Sequence, residues 1–302
     1  MVHLGQVVAM IISPSLAGVL VTAIGLQGVI LIDVITFVLA VGTLLFVRIP
    51  SHKPAQASVA SKGSLLEEVA YGWRYIVSRP GLLGLLILFA VSNYSTSIVQ
   101  GLFAPMILSF STPTVLGTLL SAAGLGMLSG SLVMSVWGGP KRRIYGVLGA
   151  VGTTGLCILC AGIRPWIPLI AVAAFGGCLG SPVINASSQA IWQVKTPPDV
   201  QGRVFAIRHV IAWSSIPLAY LTAGPLADQV FEPLLAVGGP LADTVGRVTG
   251  VGPGRGIGLL FVIMGTLNVL AAAGGTLYPR LRLVEDELPD ATEEVAGSAT
   301  SG

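Results

Sequence analysis

The chain has 302 residues, of which 53% are hydrophobic and only 10% charged, with a net charge of +3 and a mean hydropathy of +0.86. A water-soluble domain carries about a quarter charged residues, so the composition excludes one and predicts an all-α, polytopic membrane bundle. The few basic residues sit in short loops, so no nucleic-acid partner is expected; the expected surroundings are the lipid bilayer.

A spanning helix needs roughly 20 mostly apolar residues. That rule predicts eight spans, at about 4–24, 28–47, 82–108, 115–137, 144–163, 166–191, 206–230 and 256–277. The run after Met1 has neither a basic leader nor a cleavage site and reads as a span rather than a signal peptide. It carries Ser13-Pro14-Ser15-Leu16-Ala17-Gly18, a small-residue run that permits close helix contact and a kink. Asp33 opens the second span and is the only carboxylate well within one. It reads either as an interfacial helix-end acid or as a proton-linked group whose pKa burial would raise.

Residues 51–80 form a linker, rich in Ser, Ala and Lys up to Gly63. Ser64-x-x-Glu67 then reads as a capping box. Behind it Leu65, Val69, Trp73 and Ile76 form a stripe at helical spacing, which predicts a short amphipathic helix on the membrane face. The third span holds Ser92-Asn93-Tyr94-Ser95-Thr96-Ser97 and then Gln100, more polar groups than helix packing needs. In the fourth, Gly126 and Gly130 make a GxxxG, a tight-packing signal, and the loop behind it is Gly138-Gly139-Pro140-Lys141-Arg142-Arg143. Cys157 and Cys160 form a C-x-x-C inside an apolar run with no second ligand pair, so they and Cys178 read as packing residues, and no metal is expected.

The chain is organised around Ser181–Leu235. Its first part carries Asn185, Ser187, Ser188 and Gln189 in an apolar setting. A basic turn with Lys195, Pro197-Pro198, Arg203 and Arg208 is expected next, and then an uncharged span from Val210 to Leu226. Uncharged polar groups in a span beside a cationic hinge point to a transport pathway. Two GPLAD pentapeptides, Gly224–Asp228 and Gly239–Asp243, flank the loop before the last span. The tail 279–302 holds six of the 13 acidic residues and reads as disordered.

With both termini on the cytoplasmic side of the inner (plasma) membrane, 13 of the 16 basic residues face inward, and only Arg164, Arg247 and Arg255 face out. No His-Glu-x-x-His, paired aspartates or nucleotide-binding loop is present, and His3, His52 and His209 stand apart. No enzyme, no cofactor and no ATP drive are therefore expected.

Four segments carry a family resemblance: SPSLAG, similar by residue type to the antiporter motif G-P-x-x-G-G; AYGWRYIVSRPGL; QAIWQVKTPPDVQGRVFAIR; and GPLADQVFEPLL with GVGPGRG. They resemble the major facilitator superfamily, in particular its drug and siderophore exporter branch with the macrolide and enterobactin exporters. That fold has twelve spans in two six-helix halves. The resemblance implies that residues 1–50 are the last two helices of the N-terminal bundle and 81–278 a complete C-terminal bundle, with the first four helices lacking. It implies a secondary active exporter of small amphipathic organic molecules, inactive alone as a truncated chain. Protons would be the coupling ion, through Asp33, and another chain would supply the missing helices. By the same resemblance the third and sixth spans line the cavity, which gives Asn93, Tyr94, Gln100, Asn185 and Gln189 as substrate contacts. The alternative is a non-transporting membrane subunit that pairs with another chain. Gly239–Arg247 fits the family's cytoplasmic loop string G-x-L-A-D-x-x-G-R, but topology places it outside, so its positional counterpart is the reduced GGPKRR.

Overall fold

The computed structural model describes residues 27–28, 31–32, 34–43 and 65–287, and all of its regular structure is helical. The chain divides into two compact units, Met1–Ser64 and Leu65–Gly302. In the first, α1 (Val34–Thr43) is a short apolar helix with almost every residue exposed. The expected span 4–24, the SPSLAG run, Asp33 and Ser64 of the capping box lie outside the described residues.

In the second unit α2 (Leu65–Val77) precedes six helices long and apolar enough to cross a membrane. They are α3 (Pro80–Leu108), α4 (Pro113–Trp137), α5 (Arg143–Ile163), α6 (Ile167–Leu179) continued by α7 (Ser181–Lys195), α8 (Pro198–Pro225), and α11 (Arg255–Leu277). Between the last two, α8 runs on through a π-turn (Leu226–Phe231) into α9 (Glu232–Leu235), and α10 (Gly246–Thr249) follows. These are the six spans expected between 82 and 277. Pro80, Pro113 and Pro198 stand in first turns, where a missing N–H is no loss. Gly138 ends α4 at φ 74°, donating its N–H to Met134 O. Pro182 has no N–H for the carbonyl of Cys178, and the sixth span is accordingly divided at Gly180.

Small residues set which helices touch. α4 packs on α6, with Gly126 against the carbonyl of Phe175 and Gly130 against that of Leu179. This is the tight contact expected of the GxxxG. α5 packs on α11 in the same way: a Cβ at Gly155 would meet Asn268 Cβ at 2.7 Å, and Gly162 lies against the carbonyl of Gly258. α3 packs on α8 and α11. The amphipathic α2 docks on α8 through Gly72, Tyr75 and Ile76, at i, i+3 and i+4. Trp73, on the apolar stripe expected to lie along the membrane face, is 45% exposed and takes no part in this contact. The glycine face packs instead, because only there can the backbone of α8 come close: Arg203 O would lie 3.1 Å from a Cβ at Gly72.

Two apolar clusters fill the bundle. One, at the end where α3 begins, includes Leu85, Leu88, Val151, Ile191, Ile207 and Ala272. The other, at the far end, includes Ile98, Ile158, Ala219, Phe261 and Met264. Along α3, α5, α8 and α11 the residues between the clusters include buried polar ones: Ser92 and Ser95, Thr154, Ser215 and Asn268. The bundle thus has a polar belt at mid-height.

The tail expected to be disordered from 279 is helical to Glu287, in α12 (Pro279–Arg282) and α13 (Val284–Glu287). Residues 288–302 lie outside the described residues. The ordering has a specific cause. The Glu285 carboxylate accepts the N–H groups of Arg143 (3.2 Å) and Ile144 (3.1 Å) at the start of α5. A helix N-terminus leaves these donors without intrahelical partners, and its dipole favours an anion there. Lys195 Nζ donates to the Glu285 carbonyl at 2.6 Å, Tyr75 Oη to the Lys195 carbonyl at 3.2 Å, and Arg142 lies 3.5 Å from Asp286. Glu285 therefore ties the start of α5 to the end of α7, and Lys195 extends the contact to Tyr75 of α2.

Gly126→Leu and Gly130→Leu should each destabilise the bundle by about 1–3 kcal/mol, since a side chain there meets backbone. Gly117→Leu, on the same helix with open space around it, should leave the thermal midpoint in detergent nearly unchanged. Equal midpoints for the three variants would refute the α4–α6 contact.

Candidate functional site

The belt converges on one stripe of α8. Arg208, Ala212, Ser215, Ala219 and Thr222 recur at intervals of four and three residues and so share a face. Pro217 leaves the carbonyl of Trp213 without its usual helical donor, so the backbone ladder is weakest in this region. Side chains add bonds there: Asn93 Nδ2 (3.2 Å) and Ser215 Oγ (2.6 Å) both donate to Ala212 O. Further along, Tyr94 Oη lies 3.0 Å from Thr222 Oγ1.

α7 reaches α8 from another side. The Arg208 guanidinium donates to Gln189 Oε1 at 2.9 Å and to Ser188 Oγ at 3.2 Å, and its Cζ lies 5.4 Å from the centre of the Trp192 ring. Of the five expected site residues, Asn93, Tyr94 and Gln189 therefore meet α8. The other two do not. Asn185 is exposed and donates to Ser181 O of its own helix, and Gln100 is exposed. Both nevertheless extend polar faces, Asn185 one turn from Gln189 on α7 and Gln100 two turns from Asn93 on α3. Ser95 Oγ, Ser187 Oγ and Asn268 Oδ1 are buried without a hydrogen-bond partner.

The residue the sequence reading missed is Arg208. It was expected in a basic turn, but the turn is only Thr196-Pro197, because Pro198 starts α8 rather than breaking a helix. Arg203 and Arg208 are consequently helical. The signal that could have found Arg208 is its spacing: counted from Pro198, it lies nearly three turns into the helix.

The remaining features are plain. The three cysteines are free and half-buried, with Cys157 Sγ 3.1 Å from a Cβ placed at Gly176. No cluster able to hold a metal occurs among the described residues. An apolar groove of about 300 Å³ between α3 and α11, lined by Gly84, Ile87, Val91, Gly274 and Tyr278 among others, contains none of the five residues.

Comparison with known proteins agrees with this architecture. The family model described as Major Facilitator Superfamily matches residues 1–220. The chain is 25% identical over 231 residues to macrolide efflux protein A of Streptococcus pyogenes, a match covering 74% of the chain and 56% of that protein. It is 26% identical over 219 residues to macrolide efflux protein A of Enterococcus faecalis, covering 70% and 67% respectively. It is also 26% identical over 227 residues to the multidrug efflux pump Tap of Mycolicibacterium fortuitum, covering 72% and 53%. The chain thus spans little more than half the length of the streptococcal and mycobacterial relatives. No solved structure matches it. With six apolar helices in a polar-belted bundle and a family match over most of its length, the chain belongs to the major facilitator superfamily of membrane transporters.

Proposed function

We propose that the chain is part of a secondary active exporter of small amphipathic organic molecules, working by alternating access in the plasma membrane. The observation that carries this reading is the polar belt that Asn93, Tyr94 and Gln189 carry to α8. Polar side chains at that depth are costly unless they serve a partner, a pore or a substrate, and the relatives with this family match are named as efflux proteins. In the proposed pathway Asn93, Gln100, Asn185 and Gln189 hydrogen-bond the substrate and Tyr94 stacks on it. Asp33 takes the coupling proton, and both termini are cytoplasmic. Rocking needs two opposed bundles, so a further set of helices, from this protein or another chain, completes the transporter.

A second reading is a non-transporting membrane subunit or remnant that pairs with another chain. Macrolide accumulation in an efflux-deficient bacterial strain separates the two. Cells carrying the chain with a co-expressed N-terminal bundle should accumulate less macrolide than vector controls. Accumulation at the control level would favour the subunit.

In the active setting, Asn93→Leu and Gln189→Leu should each lower efflux per molecule by about tenfold, the worth of one hydrogen bond to substrate. Membrane abundance should stay near wild type. Lost abundance with intact per-molecule efflux would mark both as packing residues.

The orientation is tested at two exposed arginines in loops that the proposal puts on opposite sides, Arg142 and Arg247. In intact cells Arg142→Cys should escape an impermeant thiol reagent and Arg247→Cys should react. Labelling of Arg142→Cys from outside would invert the topology.

A further inference from the structure

Arg208 is not accounted for by the uncharged pathway just proposed. It lies ten residues beyond the start of α8 at Pro198, about 15 Å along the axis at the rise of an α-helix. Its two hydrogen bonds go to neutral acceptors, Gln189 Oε1 and Ser188 Oγ. No carboxylate forms an ion pair with it among the described residues. A guanidinium has five N–H donors in a planar fork matched to a carboxylate or phosphate, so donors remain beyond these two bonds.

The common explanation of an arginine near the end of a span is an anchor that sends its head group to the interface. The geometry here runs the other way. The head turns into the bundle, onto Ser188 and Trp192, which are 0% and 1% exposed. Arg203, nearer the start of the same helix, faces Tyr71 of the amphipathic α2 at 5.6 Å and suits the interfacial role better. A half-buried cation held only by neutral groups is costly in an apolar wall. It is stabilised when an anion arrives, and the bidentate charge-assisted bonds then made are the strong kind. Phe205, half-buried with its ring 6.0 Å from the Cζ, sets an aromatic face beside it for the apolar part of the same molecule, while the buried Trp192 ring at 5.4 Å backs the guanidinium.

We infer that Arg208, with Gln189 and Ser188, is the head-group site for an anionic amphiphile, a carboxylate or comparable anion on an apolar body. This rests on the exporter reading and narrows its substrate class: the carried molecule brings a negative charge that takes the place of Gln189 and Ser188 on the guanidinium. Permanent cations of the same shape bind more weakly.

The test measures binding and needs no transport. The purified chain in phosphatidylcholine nanodiscs is titrated with a dansyl-labelled long-chain carboxylate and with a trimethylammonium probe of matched length, empty discs serving as blanks. The carboxylate should bind about tenfold tighter than the cation. Arg208→Gln should abolish that preference, and Arg208→Lys should keep part of it. A wild-type chain with no preference, or an Arg208→Gln variant that retains it, overturns the inference. If Arg208→Gln does not fold, as read by its melting curve, the two probes on the wild type and on Arg208→Lys still decide. Adding phosphatidylglycerol to the discs identifies the source of the anion. Persistent probe binding supports a substrate site, whereas displacement assigns Arg208 to a lipid head group and overturns it. Failure of cells carrying the chain and a co-expressed N-terminal bundle to export the same carboxylate probe would count against the exporter reading alone, since the charge preference is measured without transport.

Discussion

Hydrocarbon offers no hydrogen bonds, so a polar group between the two apolar clusters is costly unless another part of the bundle satisfies it. That constraint decides how α3, α7 and α8 meet. The polar run on α3 would be costly on a helix facing lipid; set against α8, Asn93 finds the Ala212 carbonyl and Tyr94 the Thr222 hydroxyl. Ser188 and Gln189 on α7 answer Arg208 in the same way. Contacts of this kind are individually modest, since the average measured in a membrane protein is about 0.6 kcal/mol. They fix register more than they supply stability.

Stability between the other helices comes from close approach. Lipid tails are as apolar as leucine, so burying leucine against leucine gains little in a membrane. What remains is dispersion at short range, and glycine is how the chain obtains it. α5 and α11 interlock through Gly155, Gly162, Gly258 and Gly265, and α4 and α6 through Gly126 and Gly130. The polar hydrogen bonds to α8 come from α3 and α7, while paired glycine-to-backbone contacts hold α5 to α11 and α4 to α6, and the single Gly72 brings α2 onto α8.

The six spans were legible in the sequence because their length and apolarity are local properties, and the GxxxG of α4 because its spacing has a direct packing meaning. The site was legible only as a list of polar residues. Periodicity puts Asn93 and Gln100 on one face, yet nothing local says that Asn93 meets a carbonyl while Gln100 stays exposed. Arg208 was misplaced because Pro197-Pro198 reads equally as a break or as a first turn. Glu285 was taken for part of a charge run because its partners, the N–H groups at the start of α5, stand more than 140 residues away in the chain.

The two ends of the bundle are held by a different chemistry from its middle. At one end the Glu285 carboxylate caps α5 and its carbonyl receives Lys195. At the other, Glu232 accepts the N–H of Ile257 at the start of α11, and Arg255 donates to Thr249 O with its Cζ 5.5 Å from the Phe110 ring. Charged side chains on helix ends and backbone carbonyls make strong, directional contacts. The belt holds neutral pairs at Asn93 and Tyr94 together with the bonds from Arg208 to Gln189 and Ser188. Buried polar atoms without a partner occur both there, at Ser95, Ser187 and Asn268, and nearer the ends, at Thr196 and Arg255. The neutral pairs between α3 and α8 are individually weaker than the charge-assisted caps that Glu285 and Glu232 place on the helix starts at the two ends.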